Sequence, residues 1–189
     1  MNQIIKQNGI NFGLILGFLL ILPTLLGYAI EISILVSYWT LAYVFFAIII
    51  LGIIVIAFTK KGLKGFISFK DAFTSYFIML LISVALSTLM NFILFNVVDK
   101  DFDEVVKQEQ IELTEKQRDF FSNKMGNAPQ EQVDEFHDKF DEAIEKIKND
   151  EPYSIISLLK GFAITVAIFS LFGLLLALIL KKKDPELES

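Results

Sequence analysis

The chain has 189 residues, of which 54% are hydrophobic and 19 are phenylalanine, and its mean hydropathy is +0.57. That balance is too apolar for an ordinary soluble domain of this size and points to a membrane protein. There is no cysteine, which excludes disulfides and thiolate metal centres. The net charge of −5 hides an asymmetry: residues 99–151 hold 17 acidic and 8 basic side chains, a local balance of −9 against +4 elsewhere.

A spanning helix takes about 20 mostly apolar residues. Four runs qualify, at about 10–30, 34–58, 72–98 and 161–180, with charged residues only at or beyond their ends. Backbone groups cannot stay unpaired in lipid, and runs this continuously apolar read as helices rather than barrel strands. The first run is too long for a signal-peptide core and lacks a small-residue cleavage site, so it is expected to be retained. It carries Gly9, Gly13 and Gly17, a doubled small-xxx-small ridge. Such a ridge lets two helices approach closely. Packing within the same bundle is the preferred reading, with homodimerisation as the alternative. Pro23 is expected to kink this helix.

Residues 59–71 are expected to form a basic loop, which overlaps the stretch "KGLKGFISFKDAF" from Lys61 to Phe73. Gly62 and Gly65 are expected to end the second helix. Ser68-x-x-Asp71 is a capping-box variant that starts the third helix near Phe69. The glycines and lysines lack the spacing of a phosphate-binding loop, and no strand precedes them. Lys60, Lys61, Lys64 and Lys70, together with Lys6 and Lys181–Lys183, mark the cytoplasmic side by the positive-inside rule. Both termini are then cytoplasmic, and residues 99–152 lie outside. Tyr28, Tyr38, Trp39 and Tyr153 fall at the outer helix ends, where aromatic residues favour the interface.

In the third helix Tyr76, Ser83, Ser87 and Asn91 share one polar face. Interhelical hydrogen bonding is the preferred reading and a polar conduit the alternative, because no ionisable group lies deep in any span. Residues 99–152 read as an acidic helical hairpin. One helix runs on from the third span through Glu112, and Thr114-x-x-Gln117 restarts it as a capping box. Met125-Gly126-Asn127 is the stop, and Pro129 opens the second arm. Val133, Phe136, Phe140, Ala143 and Ile147 form the apolar stripe of that arm, with Glu142–Lys146 as an i,i+4 pair. "DKDFDE" at 99–104 departs from an EF-hand loop, and the single histidine, His137, has no clear ligand set around it.

The fourth helix, within residues 153–189, offers a small-residue strip of Ala163, Ala167, Ser170, Gly173 and Ala177 for packing. Lys160 stands at its outer edge, placed to snorkel or to pair with an acidic residue. The fold class is thus all-α: a four-helix transmembrane bundle with an acidic hairpin inserted between helices three and four.

The layout of two membrane hairpins around "GFISFKDAF", an acidic helical insert and a final helix ending in "LKKK" resembles the domain-of-unknown-function 4199 family of bacterial membrane proteins, found mainly in Bacteroidota. The resemblance spans about residues 5–183. It is strongest at Gly65, Phe66, Ile67, Ser68, Phe69, Ala72 and Phe73. It implies an inner-membrane location and supplies no catalytic residues.

No catalytic, cofactor-binding or metal-ligating constellation stands out. The expectation is a non-enzymatic membrane protein without a cofactor, whose partners are the lipid bilayer and a membrane or periplasmic protein, not nucleic acid, with homo-oligomerisation left open. The alternative is a small oligomeric transporter or channel using the polar face of helix three.

Overall fold

The computed structural model describes residues 2–126 and 129–182. Asn127 of the expected stop and Lys183 of the basic tail lie outside the described residues. Four long apolar helices carry the architecture: α1 (Gln3–Ala29), α3 (Tyr38–Gly62), α4 (Phe69–Ile93) and α7 (Ile155–Leu180). With the five residues that prolong α4, all four are long and apolar enough to cross a membrane. A short α2 (Ser33–Val36) links the first two, and α5 (Phe102–Lys124) and α6 (Gln130–Asn149) form the inserted hairpin.

The helix starts follow caps rather than hydropathy. Side-chain oxygens of Asn2, Ser37, Ser68 and Ser154 accept from first-turn N–H groups of α1, α3, α4 and α7, at 3.0, 3.2, 3.1 and 3.3 Å. Each cap satisfies a donor that would otherwise be orphaned. This is why α1 begins at Gln3 and not near residue 10, and α7 at Ile155 and not near 161. Ser37 delays the second span to Tyr38 and leaves Ser33–Val36 as its own turn. The Ser68 hydroxyl also donates to Asp71 Oδ2 at 2.8 Å, so the capping pair is reciprocal. The turn before it is left-handed at Lys64 (φ 58°) as well as Gly65 (φ 91°).

Four expectations about the insert are corrected. The third span does not run on into the hairpin: Leu94–Val98 widens into a π turn, closed by Asp99 N donating to Leu94 O at 2.9 Å, and Asp99 is extended. Thr114 does not restart a helix, because its hydroxyl donates to Gln110 O at 2.7 Å within an unbroken α5. On α6, Ile144 is buried and Ala143 exposed, since Ile144 lies one i+4 step beyond Phe140 on the same face. The i,i+4 ion pair that forms there is Glu135–Lys139 at 2.8 Å rather than Glu142–Lys146.

The spans form a rhombus in section. α3 and α4 both touch α1 on one side and α7 on the other, and they also touch each other. α1 and α4 run parallel and make the most extensive interface. Gly9, Gly13 and Gly17 seat against Ile78, Ile82 and Leu86, a constant register along two and a half turns. A Cβ at these three glycines would lie 2.8–2.9 Å from those side chains. The glycine ridge is therefore consumed inside one chain.

The two ends of the bundle differ. At the loop end, Ile67 and Lys182 exchange backbone hydrogen bonds of 2.9 Å in both directions, and Lys60 Nζ donates to Leu180 O at 3.1 Å. Gly62 packs on Ile4 there, which brings the α1 start, the basic loop and the α7 end together. At the hairpin end, Leu94, Phe95, Phe102 and Val106 form a second, smaller core with α2 and Tyr153.

Candidate functional site

The side chains along α4 organise the bundle interior. Tyr76 is fully buried and its hydroxyl donates to Phe169 O on α7 at 2.8 Å. Its ring passes between Gly52 of α3 and Gly173 of α7; a Cβ at Gly52 would lie 2.6 Å from the ring, and one at Gly173 would clash with it. Ser83 is also fully buried and donates to Leu80 O of its own helix at 2.9 Å, as Ser75 does to Ala72 O. Asn91 Oδ1 accepts from Thr24 on α1 at 3.0 Å. Without water to compete, such bonds fix helix partners at roughly 0.6–2 kcal/mol each.

The four polar-face residues therefore divide. Tyr76 and Ser83 are sealed in the core with Leu16, Ile48 and Leu80. Ser87 and Asn91 instead border a cavity of about 270 Å³ in the hairpin half of the bundle. Leu20 of α1, Ile48 of α3, Val84 of α4 and Thr165 of α7 also line it. A second recess of about 350 Å³ lies between α4 and α7, walled by Ala85, Leu89, Phe92, Ile155 and Leu159. Thr88, Leu158 and Phe162 border both.

The small-residue strip on α7 is partly corrected. Gly173 and Ala177 are buried, whereas Ala163 and Ala167 are exposed. Each i+3 step from 167 through 170 to 173 lags the helix by about 60°, so the strip rotates off the interface. The packed face is instead Phe162, Val166, Phe169, Leu176 and Leu180, which keeps heptad phase with Gly173. Lys160 lies inside α7, exposed, with no ion pair among the described residues. Lys61, Lys64 and Lys70 are exposed at the loop end beside the Ser68–Asp71 cap.

The hairpin root is a third candidate. Tyr153 stacks on Phe95 with ring centroids 3.4 Å apart, Phe95 on Phe102 at 5.4 Å, and Tyr28 meets Phe102 edge-on at 4.8 Å. Asn96 Nδ2 donates to Tyr153 O at 2.9 Å, tying the π turn to the start of the last span. Lys107, only 7% exposed, bonds Glu104 at 2.8 Å and lies 3.7 Å from Asp103. The hydrogen bond to Glu104, reinforced by the neighbouring carboxylates against the opposing cost of burial, pushes the Lys107 ammonium pKa up. Burial pushes the Tyr153 phenol up to about 12, with Asp103 acting in the same direction. Three of the four acids of "DKDFDE" are thus engaged, Asp99 by the Tyr28 hydroxyl at 3.3 Å and Asp103 and Glu104 by Lys107. Among the described residues no three His, Asp or Glu side chains converge as a ligand set. His137 instead faces Ser122 of the opposite arm, Nε2 to Oγ 3.3 Å, beside Phe136.

Several organising residues lacked a readable signal in sequence. Thr24 is a single polar residue in an apolar run, and Thr59, next to Lys60 at the end of α3, accepts from Asn8 Nδ2 at 3.2 Å. Tyr76 stands out on the polar face of the third helix, but nothing in the sequence pairs it with Gly52.

A family model described as "Protein of unknown function (DUF4199)" matches residues 11–182. No curated protein and no solved structure matches the chain.

Proposed function

The chain belongs to the DUF4199 family, and on that premise we propose that it is a non-enzymatic inner-membrane protein that holds an acidic arm outside the cytoplasm for a protein partner. Both termini are cytoplasmic in this reading and residues 99–152 are periplasmic. The lysines gathered at the loop end support that orientation.

The observation that carries the proposal is the contrast between the two arms of the insert. α5 is rooted in the bundle by Phe102, Val106 and the nearly buried Lys107. α6 packs on α5 and leaves Asp134, Glu135, Asp138 and Glu142 exposed on its outer side. Arg118 of α5 bridges the arms through Asp141 at 3.0 Å, and Phe121 meets Phe136. A rooted arm loses little freedom when it binds, which favours association. Its charge suits a basic protein surface.

Crosslinking in native membranes with mass spectrometric identification tests this. A partner should be recovered with the native chain and lost when Glu135, Asp138, Glu142 and Glu145 are changed together to the amides. Recovery of the same crosslinks from the neutralised arm overturns it.

A second reading, a small oligomeric transporter or channel, draws on the cavity beside Ser87 and Asn91. It requires flux in reconstituted vesicles that Asn91→Leu abolishes.

A further inference from the structure

The two recesses in the hairpin half have opposite chemistry and share a wall. The interior cavity is bordered by Ser87, Thr88, Asn91, Ser157 and Thr165, and its lining includes no charged side chain. The recess between α4 and α7 is bordered by aliphatic and aromatic groups, with Thr88 as its one polar residue. Thr88, Leu158 and Phe162 are common to both, so the polar recess and the apolar groove adjoin at the α4–α7 seam.

Among the described residues, one hydroxyl along this cavity has a side-chain partner: Ser157 Oγ accepts from Ser154 Oγ at 3.0 Å. Thr74, Ser75, Ser83 and Thr114 each donate to a carbonyl of their own helix. Ser87, Thr88 and Thr165 make no side-chain hydrogen bond among the described residues, nor do the amide hydrogens of Asn91. Four groups able to donate therefore border one small space.

We infer that this double recess is a binding site for an uncharged, single-chain amphiphile, with a hydroxyl-bearing head in the interior cavity and its hydrocarbon chain in the α4–α7 groove. The two volumes, about 270 and 350 Å³, together fall within the about 300–1,000 Å³ typical of small-molecule sites. An ionic head is disfavoured because a charge brought into this space finds no counter-charge on its walls. A purely apolar guest would leave the hydroxyls and the Asn91 amide unpaired. A head carrying hydroxyls donates and accepts, as Ser, Thr and Asn do. The groove is reached directly from the hydrocarbon layer, where such a molecule would already reside.

Gly161 provides a specific test, because it borders the interior cavity and a Cβ there meets nothing within 4 Å. Gly161→Leu should fill the head site without displacing the helices, and the thermal midpoint in detergent verifies that. The probes are a monoacylglycerol bearing a diazirine in its chain, and the same chain ending in a carboxylate or a trimethylammonium, each added to vesicles holding the full chain. After irradiation, monoacylglycerol adducts should concentrate in peptides covering 85–92 and 155–165, about tenfold above the charged probes. Gly161→Leu should remove that excess. Should that variant unfold, Ser87→Leu fills the same cavity from the opposite helix. Equal labelling by all three head groups, adducts spread evenly over lipid-facing α1, or labelling unchanged in a folded cavity-filled variant would each overturn the assignment.

Discussion

The hydroxyl of Tyr43 on α3 donates to the backbone carbonyl of Leu19 on α1 at 3.1 Å. Leu19 is the residue whose carbonyl would have accepted from position 23, and Pro23 has no N–H to give. The tyrosine thus supplies the donor the proline removed, and α1 runs on through Pro23 to Ala29. Tyr43→Phe should destabilise the bundle by about 1 kcal/mol. The same change in a Pro23→Ala background should cost much less, because the helix then satisfies its own carbonyl. A double-mutant cycle on unfolding in mixed micelles checks this, and equal costs in both backgrounds would refute the pairing.

Tyr76 makes the close fit between α3 and α7 depend on two glycines. Gly173→Ala forces a methyl into the ring and should lower stability by at least about 1–3 kcal/mol, the usual range for overpacking. Gly52→Ala should act in the same direction. Gly161→Ala, on the same helix but facing open space, should leave the thermal midpoint unchanged or slightly raised. A midpoint that falls equally for Gly161→Ala and Gly173→Ala would mean that helix flexibility, not the Tyr76 contact, is what these glycines provide.

The absence of cysteine makes the orientation directly measurable. Single variants Lys61→Cys and Gln132→Cys place one thiol at each end of the molecule, both at exposed positions. In intact spheroplasts an impermeant maleimide should label position 132 and reach position 61 only after lysis. The reverse pattern would invert the proposed topology.

The hairpin root should loosen in alkali. Burial raises the folded-state pKa of Tyr153 from the ordinary 10.0 to about 12, so the neutral phenol is favoured by folding. Its contribution is fully present below about pH 10 and is lost as pH rises towards about 12. Lys107, pushed up mainly by its hydrogen bond to Glu104, weakens in the same direction. Proteolytic susceptibility of residues 99–110 should therefore rise across this window. Phenolate absorbance should show a late-titrating tyrosine that Tyr153→Phe removes. A Tyr153 that ionises near pH 10 without any change in proteolysis would exclude the effect.

The sequence by itself determined the number of spans, the acidic hairpin and the cap that launches α4, because these rest on local chemistry. Run length measures a span against a bilayer, Ser68 and Asp71 are three residues apart, and Met125–Pro129 punctuates the hairpin. The glycine ridge at Gly9, Gly13 and Gly17 was also legible, though not that it would seat on Ile78, Ile82 and Leu86. Only the tertiary structure decided which helices are neighbours. In an apolar medium one leucine-rich face resembles another, so periodicity carries little information about partners. The register of α1 on α4, the ring of Tyr76 between two glycines and the Tyr43 bond to Leu19 all join residues at least 24 positions apart. For the same reason the Ala163–Ala167 strip misled: residue size was readable, but the angular phase set by the packed neighbours was not. The cavity beside Ser87 and Asn91 exists only where four helices meet, a property no single segment records.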